Sequence, residues 1–380
     1  MQRFAFIIHP IDAKRDVARK YPIARYFPEV LLEQFIKSRE PMTVSSVTGV
    51  KSKTGEELEG WLIACPLTPR QFVTLPLEFV YRRLEQCGQI AMELGAGIIG
   101  LGAFTSVVGD GGITLASRLK GIAVTTGNSY TVATAIQGAV KAAELMGVAL
   151  RDASVAVVGA GGSIGATCAE ILSADAASIS LVGRGLPALE TTAERISSRA
   201  RSSVRMFTDV AQGLRDADIV ITVTSAVDAV ILPEHIKSGA VVCDVARPRD
   251  VSTRVAAERK DVLVIEGGVV RVPGEMRLPK YGKPDEQFSF GFEPGTAYAC
   301  MSETMILALE GRYENFTLGK DVSSRQVEEI GHLAERHGFH LEGFRSFERA
   351  VTAEHIESVR KAAHRPALDV QPVEPESLPR

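Results

Sequence analysis

The 380-residue sequence lacks a long hydrophobic run, paired cysteine spacing and any marked excess of charge. Each shortage excludes something. The longest weakly polar stretch, LGAGIIGLGAFTSVVG at 94–109, is too short and too rich in glycine to span a bilayer as a helix. The opening MQRFAFIIHPIDAKRD has a brief apolar run followed at once by charge, so it reads as a first strand, FAFII, and not as a secretory leader. A cytoplasmic protein with no integral membrane segment is expected. Five cysteines, an odd number without paired spacing, suggest neither a disulfide framework nor a zinc site. A net charge of −3 gives no basic excess of the kind that nucleic-acid binding requires.

What remains is an ordinary soluble composition, 45% hydrophobic and 23% charged, on a chain long enough for two domains. Residues 1–125 mix strands and helices. PMTVSSVTGVKSKTGEELEGWLIACPL reads as two strands joined by a turn at KTGEE. PLEFVYRRLEQCGQIAMELG (76–95) has helical spacing, with Leu77, Val80, Leu84, Cys87, Ile90 and Ala91 on one face. AGIIGLGAF then reads as a buried strand. Within the hairpin SVTGVK is faintly similar to the VTxPxK of shikimate dehydrogenases, but it lacks the proline and is one residue short. Lys51 therefore reads as a solvated hairpin residue. An Ala-rich helix follows TTGN (125–128) and is expected to cross between domains. Thr126, Gly127 and Asn128 then lie near a cleft, or else serve only as a helix start.

From residue 152, short apolar strands alternate with helices: SVAVV, SISLV, VRMF, DIVITVT, AVVCDV and VLVIE. Their spacing is that of successive βα units and implies a parallel sheet. The expected fold is α/β, with a Rossmann-type doubly wound parallel sheet and a second α/β substrate domain completed by C-terminal helices. The expected boundaries are 1–128 for the substrate domain, 129–150 for the crossing helix and 151–290 for the nucleotide domain. C-terminal helices at 291–364 are expected to pack back on the first domain, and a Pro-rich tail at 365–380 is expected to be disordered.

VAVVGAGGSIGATCAEIL supplies strand, Gly-rich turn and helix in the order a dinucleotide site needs. Gly159 permits the tight turn, Gly161 or Gly162 lets backbone approach a pyrophosphate, and Gly165 allows close helix packing. N–H groups from Ser163 and Ile164 onward face the phosphates. The second strand ends SLVGRG, with Arg184 where NAD sites place an acid. An arginine there grips a 2′-phosphate, so NADPH is the expected cofactor; a solvated arginine at a helix entry is the bland alternative. Thr224 and Ser225 end the fourth strand, near the expected nicotinamide, as ligands or as backbone spacers. His235 lies in a segment that reads as surface helix. No metal is expected.

Four cysteines have easy core readings or nearly so: Cys87, Cys168 and Cys243 lie in apolar elements, and Cys65 ends a strand before Pro66 and is the only rival to Cys300 as a nucleophile. Cys300 differs. It lies among small residues at the start of a helix in GTAYACMSETMILALEG, where the helix dipole and free N–H groups favour thiolate. From residue type and position alone, packing and nucleophile both stand.

The chain resembles the cyanobacterial long-chain acyl-ACP reductases, which form fatty aldehydes, and related bacterial predicted dehydrogenases. The resemblance rests on SVTG, GLGAFTSVV (100–108), TTGN (125–128), VAVVGAGGSIG (155–165), EGGVV (266–270), ACMSETMILALEGRYENFTLG (299–319) and RHGF (336–339), in that order. It implies that Cys300 accepts the acyl group from acyl-ACP or acyl-CoA, that the Gly loop holds NADPH, and that an aldehyde-consuming enzyme takes the product. GIIGLGAF and MILAL are candidate walls for an acyl chain, or plain core; Arg70, Arg82, Arg83 and Arg345 are candidates for an acidic carrier, or solvated residues. The chain departs from the family at Gly161 and Ser163, where Thr and Asp are commoner, and at DVARPRD, where a Gly-rich turn is usual. Two other readings stay open: an NADP-dependent dehydrogenase of the shikimate or amino-acid type, and a non-catalytic NADPH-binding protein.

Overall fold

Strand β1 (Gln2–Ile8) carries FAFII, and its two-residue period divides it between two cores. Phe4 and Phe6 face one side, Ala5 and Ile7 the other. The same division runs through β3 (Glu57–Ala64), with Leu58 and Leu62 opposite Ile63, and through β4 (Ile98–Leu101), with Ile98 opposite Ile99 and Leu101. A sheet apolar on both faces needs a cover on each. The amphipathic helix Leu77–Glu93 covers one face with Val80, Leu84, Cys87 and Ala91. The other is covered by a helix from 200 residues further on, Ala299–Leu309, through Met301, Met305 and Ile306. Gly100 makes this close: a Cβ there would lie 2.1 Å from Thr304 Oγ1. The computed structural model describes residues 1–14, 22–197 and 201–365.

In this first sheet β3, β1, β4 and β5 (Ala123–Thr125) run parallel, and β2 (Met42–Lys51) returns antiparallel on β3. The second sheet is wholly parallel. Its strands are β6 (Ser154–Val158), β7 (Ser178–Val182), β8 (Ser203–Phe207), β9 (Ile219–Thr222), β10 (Val241–Asp244) and β11 (Leu263–Glu266). Their order, β11-β10-β9-β6-β7-β8, reverses direction of travel between β6 and β9, which makes the ends of those strands the topological switch point. The helix Asn128–Leu145 joins the two sheets. Tyr130 belongs to the first core, whereas Ala135, Ala139, Ala142 and Ala143 pack into the core under the second sheet. Small side chains on that face let it lie close to the strands.

Two expected boundaries move. The nucleotide sheet ends at Glu266, and the chain up to 290 does not stay with it. Instead β12 (Val269–Arg271) pairs with β16 (Thr296–Tyr298), and β13 (Gly274–Arg277) and β14 (Pro279–Lys280) hydrogen-bond to β2 of the first sheet. Polar β15 (Lys283–Gln287) closes that edge against β14, its side chains exposed, as a sheet edge facing water requires. The second shift concerns the C-terminal helices. The last one, Ala353–Ala362, sets Ile356 and Val359 into the core of the nucleotide sheet, not that of the first sheet. Residues 366–380 of the expected disordered tail lie outside the described residues.

Candidate functional site

The helix bearing Cys300 starts where two loops force it to. β16 pairs antiparallel with β12, placing Tyr298 opposite Val269, and the N–H of Ala299 donates to Gly268 O at 2.7 Å. Gly267 and Gly268 directly follow β11, so the first turn of the helix abuts the carboxyl edge of the nucleotide sheet. Tyr298, the N-cap residue, gives no side-chain cap, which leaves first-turn N–H groups free of one.

The TTGN turn meets the same spot from the other side. Gly127 has φ +74, and a Cβ there would lie 2.3 Å from Cys300 Cα; only glycine fits the conformation and the contact. Asn128 Nδ2 donates to Ser163 Oγ at 3.2 Å, tying the turn to the first residue of the Gly-loop helix, Ser163–Leu172. Thr126 is buried, and its N–H and hydroxyl both donate to Thr317 O, so it braces the turn and does not line the cleft.

Glu303, one turn past Cys300, is the residue that sequence reasoning missed. Its carboxylate is wholly buried and accepts from Thr125 Oγ1 at 2.6 Å, Ser129 Oγ at 2.7 Å, Tyr130 N at 2.9 Å and Thr317 Oγ1 at 2.9 Å. A buried carboxylate is tolerated only when so satisfied. It clamps the start of the crossing helix onto the cysteine helix. The signal available was a lone charged residue in a buried helix, three residues after Cys300.

Cys300 alone among the five cysteines is partly exposed. Burial pushes its thiol up to about 12; the Met301 N–H opposes this, the Glu303 carboxylate adds to it, and the Arg247 charge pulls it back. Cys65, the rival nucleophile, is fully buried on the opposite face of the first sheet, beside Cys87, and burial raises the Cys87 thiol well above its ordinary value.

At the nucleotide loop, Gly159 has φ +87, and a Cβ would lie 2.5 Å from Val223 O. A Cβ on Gly165 would lie 2.3 Å from Gly159 O, so the helix sits directly on the turn. Gly161 and Gly162 are exposed, and Gly162 caps the helix through no side chain. Ile164 packs partly on the core under the sheet. This cradle, which side chains would fill, suits a dinucleotide pyrophosphate. Arg184 is exposed just past β7, with no ion pair among the described residues. Ser225 is exposed. Thr224 is engaged elsewhere: its N–H and hydroxyl both donate to Asp250, as does Thr222 Oγ1.

Other candidates stand apart. Lys51 is exposed and pairs with Glu57 at 3.7 Å, and His235 Nδ1 lies 3.3 Å from the Leu232 N–H in a short 3-10 turn. Arg345 is buried, with Nη2 donating to Gly291 O at 3.1 Å, and so is not a surface cation. Arg83 pairs with Glu40, while Arg70 and Arg82 are exposed. The stretches IIGL (98–101) and MILAL (305–309) are wholly buried in the two cores of the first sheet. Among the described residues, no helix is long and apolar enough to cross a membrane, and no group of three His, Cys, Asp or Glu side chains is placed to hold a metal.

The family model of shikimate / quinate 5-dehydrogenase matches residues 141–266, from within the crossing helix to the end of β11. With the doubly wound sheet and its Gly loop, this makes the protein an oxidoreductase of the NAD(P)-dependent dehydrogenase type. The chain is similar to a long-chain acyl-[acyl-carrier-protein] reductase from Synechococcus elongatus, 27% identical over 87% of this chain and 95% of that protein. It is also 28% identical, over 97% of its length, to aminotransferase PigE from a Serratia species, and spans 43% of that longer protein. Among solved structures, L-tryptophan dehydrogenase from Nostoc punctiforme matches 95% of this chain and 88% of its own at 13% identity, with a TM-score of 0.38.

Proposed function

We propose that the protein reduces a long-chain acyl thioester, acyl-ACP or acyl-CoA, to a fatty aldehyde, with Cys300 as acyl acceptor and NADPH as reductant. The observation that carries this reading is the position of Cys300. Its helix start abuts the carboxyl edge of the nucleotide sheet through Gly268, touches Gly127, and is linked to the Gly loop through Asn128 and Ser163. Likeness to the Synechococcus reductase along most of both chains supports it.

In this reading, Gly159, Gly161, Gly162, Ser163, Ile164 and Gly165 hold the pyrophosphate, and Arg184 binds the 2′-phosphate. Bound NADPH supplies the hydride for the acyl carbon. The Cys300 sulfur attacks the thioester carbonyl; a new C–S bond forms, and the carrier's thiol leaves with the proton. Uncapped N–H groups at residues 300–302 stabilise the developing oxyanion. After reduction the Cys300–carbon bond breaks, releasing aldehyde and thiolate. A shikimate-type dehydrogenase would want a lysine base in the cleft, whereas Lys51 lies out on the hairpin in an ion pair.

The test is acylation without reductant. Incubated with acyl-ACP or acyl-CoA and no NADPH, the wild type should gain one acyl mass, and Cys300→Ser should gain none. Equal acylation of the variant would remove Cys300 from the role.

A further inference from the structure

The turn after β10, DVARPRD, enters the sequence argument only as a departure from the resembling family. In the fold it reaches the cysteine helix. Arg247 keeps 14% of its side chain exposed, donates from Nη1 to Ala246 O at 2.8 Å, and donates from Nη2 to Glu266 Oε2 at 3.2 Å. Its guanidinium carbon lies 5.8 Å from the ring centre of Tyr298. Tyr298 is the residue from which the helix of Cys300 starts. Glu266, 2% exposed, also accepts from Arg249 at 3.1 Å and from Glu348 N at 2.8 Å.

We propose that Arg247 is a positioning residue for Cys300: it anchors Tyr298 at the start of the cysteine helix and brings a cation, balanced by Glu266, to the thiol. The charged groups around this corner come from four directions. Glu303 lies on the cysteine helix itself, Arg247 and Arg249 on the turn after β10, Asp244 at the end of β10, and Glu266 at the end of β11 with Glu348 beyond it. The TTGN turn and the first turn of the Gly-loop helix bring no charge. Glu303 opposes thiolate and is locked by four hydrogen bonds, so it is a fixed cost. Arg247 offsets it, and Glu266 sets how much of that cation's field reaches the sulfur. A buried pair of this kind is sensitive to loss of either partner, and the two losses act on the thiol with opposite sign.

This inference rests on Cys300 as the nucleophile, and its test is independent of acyl transfer. Full-length protein is alkylated with iodoacetamide across a pH series, and the modified fraction at Cys300 is followed by peptide mass spectrometry. Arg247→Met should move the midpoint of the alkylation profile upward. Alkylation below the midpoint then slows by about tenfold for each pH unit moved. Arg247→Lys, which keeps the charge, should return the midpoint towards wild type. Glu266→Gln should move it downward. A merely structural Arg247 would not give shifts of opposite sign. An unmoved profile in Arg247→Met, or a Glu266→Gln profile that stays or rises, overturns the proposal. If Arg247→Met does not fold, Glu266→Gln decides alone. Equal acylation of Cys300→Ser would instead remove the reading of Cys300 as nucleophile and leave the alkylation result standing.

Discussion

The Gly loop draws its geometry from one strand-turn-helix, Gly159 to Gly165, whereas Cys300 is placed by residues from distant stretches: Gly127, Gly268, Glu303 with Thr317, and Arg247. The first half is covalently continuous, with Val182 O and Val223 O at neighbouring strand ends bracing the turn, so local backbone conformation largely sets it. The second is held by contacts between distant segments, and a buried carboxylate with four donors stands in for chain continuity. The difference teaches where each half is vulnerable. The nucleotide half fails by local steric change. The cysteine half fails when any of several remote elements shifts, because its geometry is the sum of their positions.

One methyl group placed in each half should separate them. In Gly165→Ala the new Cβ meets Gly159 O at 2.3 Å, both atoms belonging to the loop. NADPH affinity, read by fluorescence titration, should fall tenfold or more, about 1.4 kcal/mol at the least, while iodoacetamide still labels Cys300 at near the wild-type rate. In Gly127→Ala the new Cβ meets Cys300 Cα at 2.3 Å, in a backbone conformation that disfavours any side chain. Here labelling and acylation of Cys300 should fall by a similar or larger factor, with NADPH binding largely kept. If both variants lose both properties together, the two halves form one cooperative unit and the contrast is wrong.

How much of this was legible follows the same divide. The six nucleotide strands stand where the apolar runs put them: five are short buried stretches that need nothing remote to define them, and β8, at the sheet edge with its side chains largely exposed, keeps the same βα spacing. The hairpin, the helix from Leu77 and the helix from Asn128 were legible for the same reason. The return of residues 274–287 to the first sheet was not. Its strands are polar, short and bulged, and what they pair with is fixed by the edge that β2 leaves open. Thr224 misled because a threonine at a strand end looks free until Asp250, 26 residues on, folds back onto it. Glu303 was unreadable as a clamp, since its four donors lie on three other segments. Arg345 looked like a surface cation because burial of an arginine depends on acceptors such as Gly291 O that no local pattern announces.

Arg184 tests whether cofactor choice is as local as cofactor grip. It is exposed past β7 with no ion pair among the described residues. Arg184→Ala removes a charge-assisted hydrogen bond, about 1.5–3 kcal/mol, so NADPH affinity should fall by about 10- to 100-fold. NADH affinity should stay within a factor of about two, since no 2′-phosphate is present to lose. Equal weakening of both cofactors would mean that Arg184 supports the loop and does not read the phosphate.

The remaining effect, on stability and not on binding or labelling, lies where the halves meet. Asp244 ends β10 and accepts from Ala246 N at 3.1 Å, Asp250 N at 3.4 Å and Val251 N at 3.0 Å, so it shapes the turn that carries Arg247. Burial nonetheless outweighs these donors and the Arg247 charge, and pushes its carboxyl up to about 6. With the folded value above the unfolded one, near 3.9, the native state holds this proton more tightly. Its contribution to stability is therefore fully present below about pH 4 and is lost as pH rises through about 6. Asp244→Asn cannot titrate. Its cost, from urea midpoints of variant and wild type at each pH, should be largest near pH 4 and shrink by on the order of 2–3 kcal/mol by pH 8, other titrations cancelling in the difference. A cost that grows with pH would show instead that the three N–H donors and Arg247 hold Asp244 ionised, and that the turn is an anion-centred support of the cysteine half.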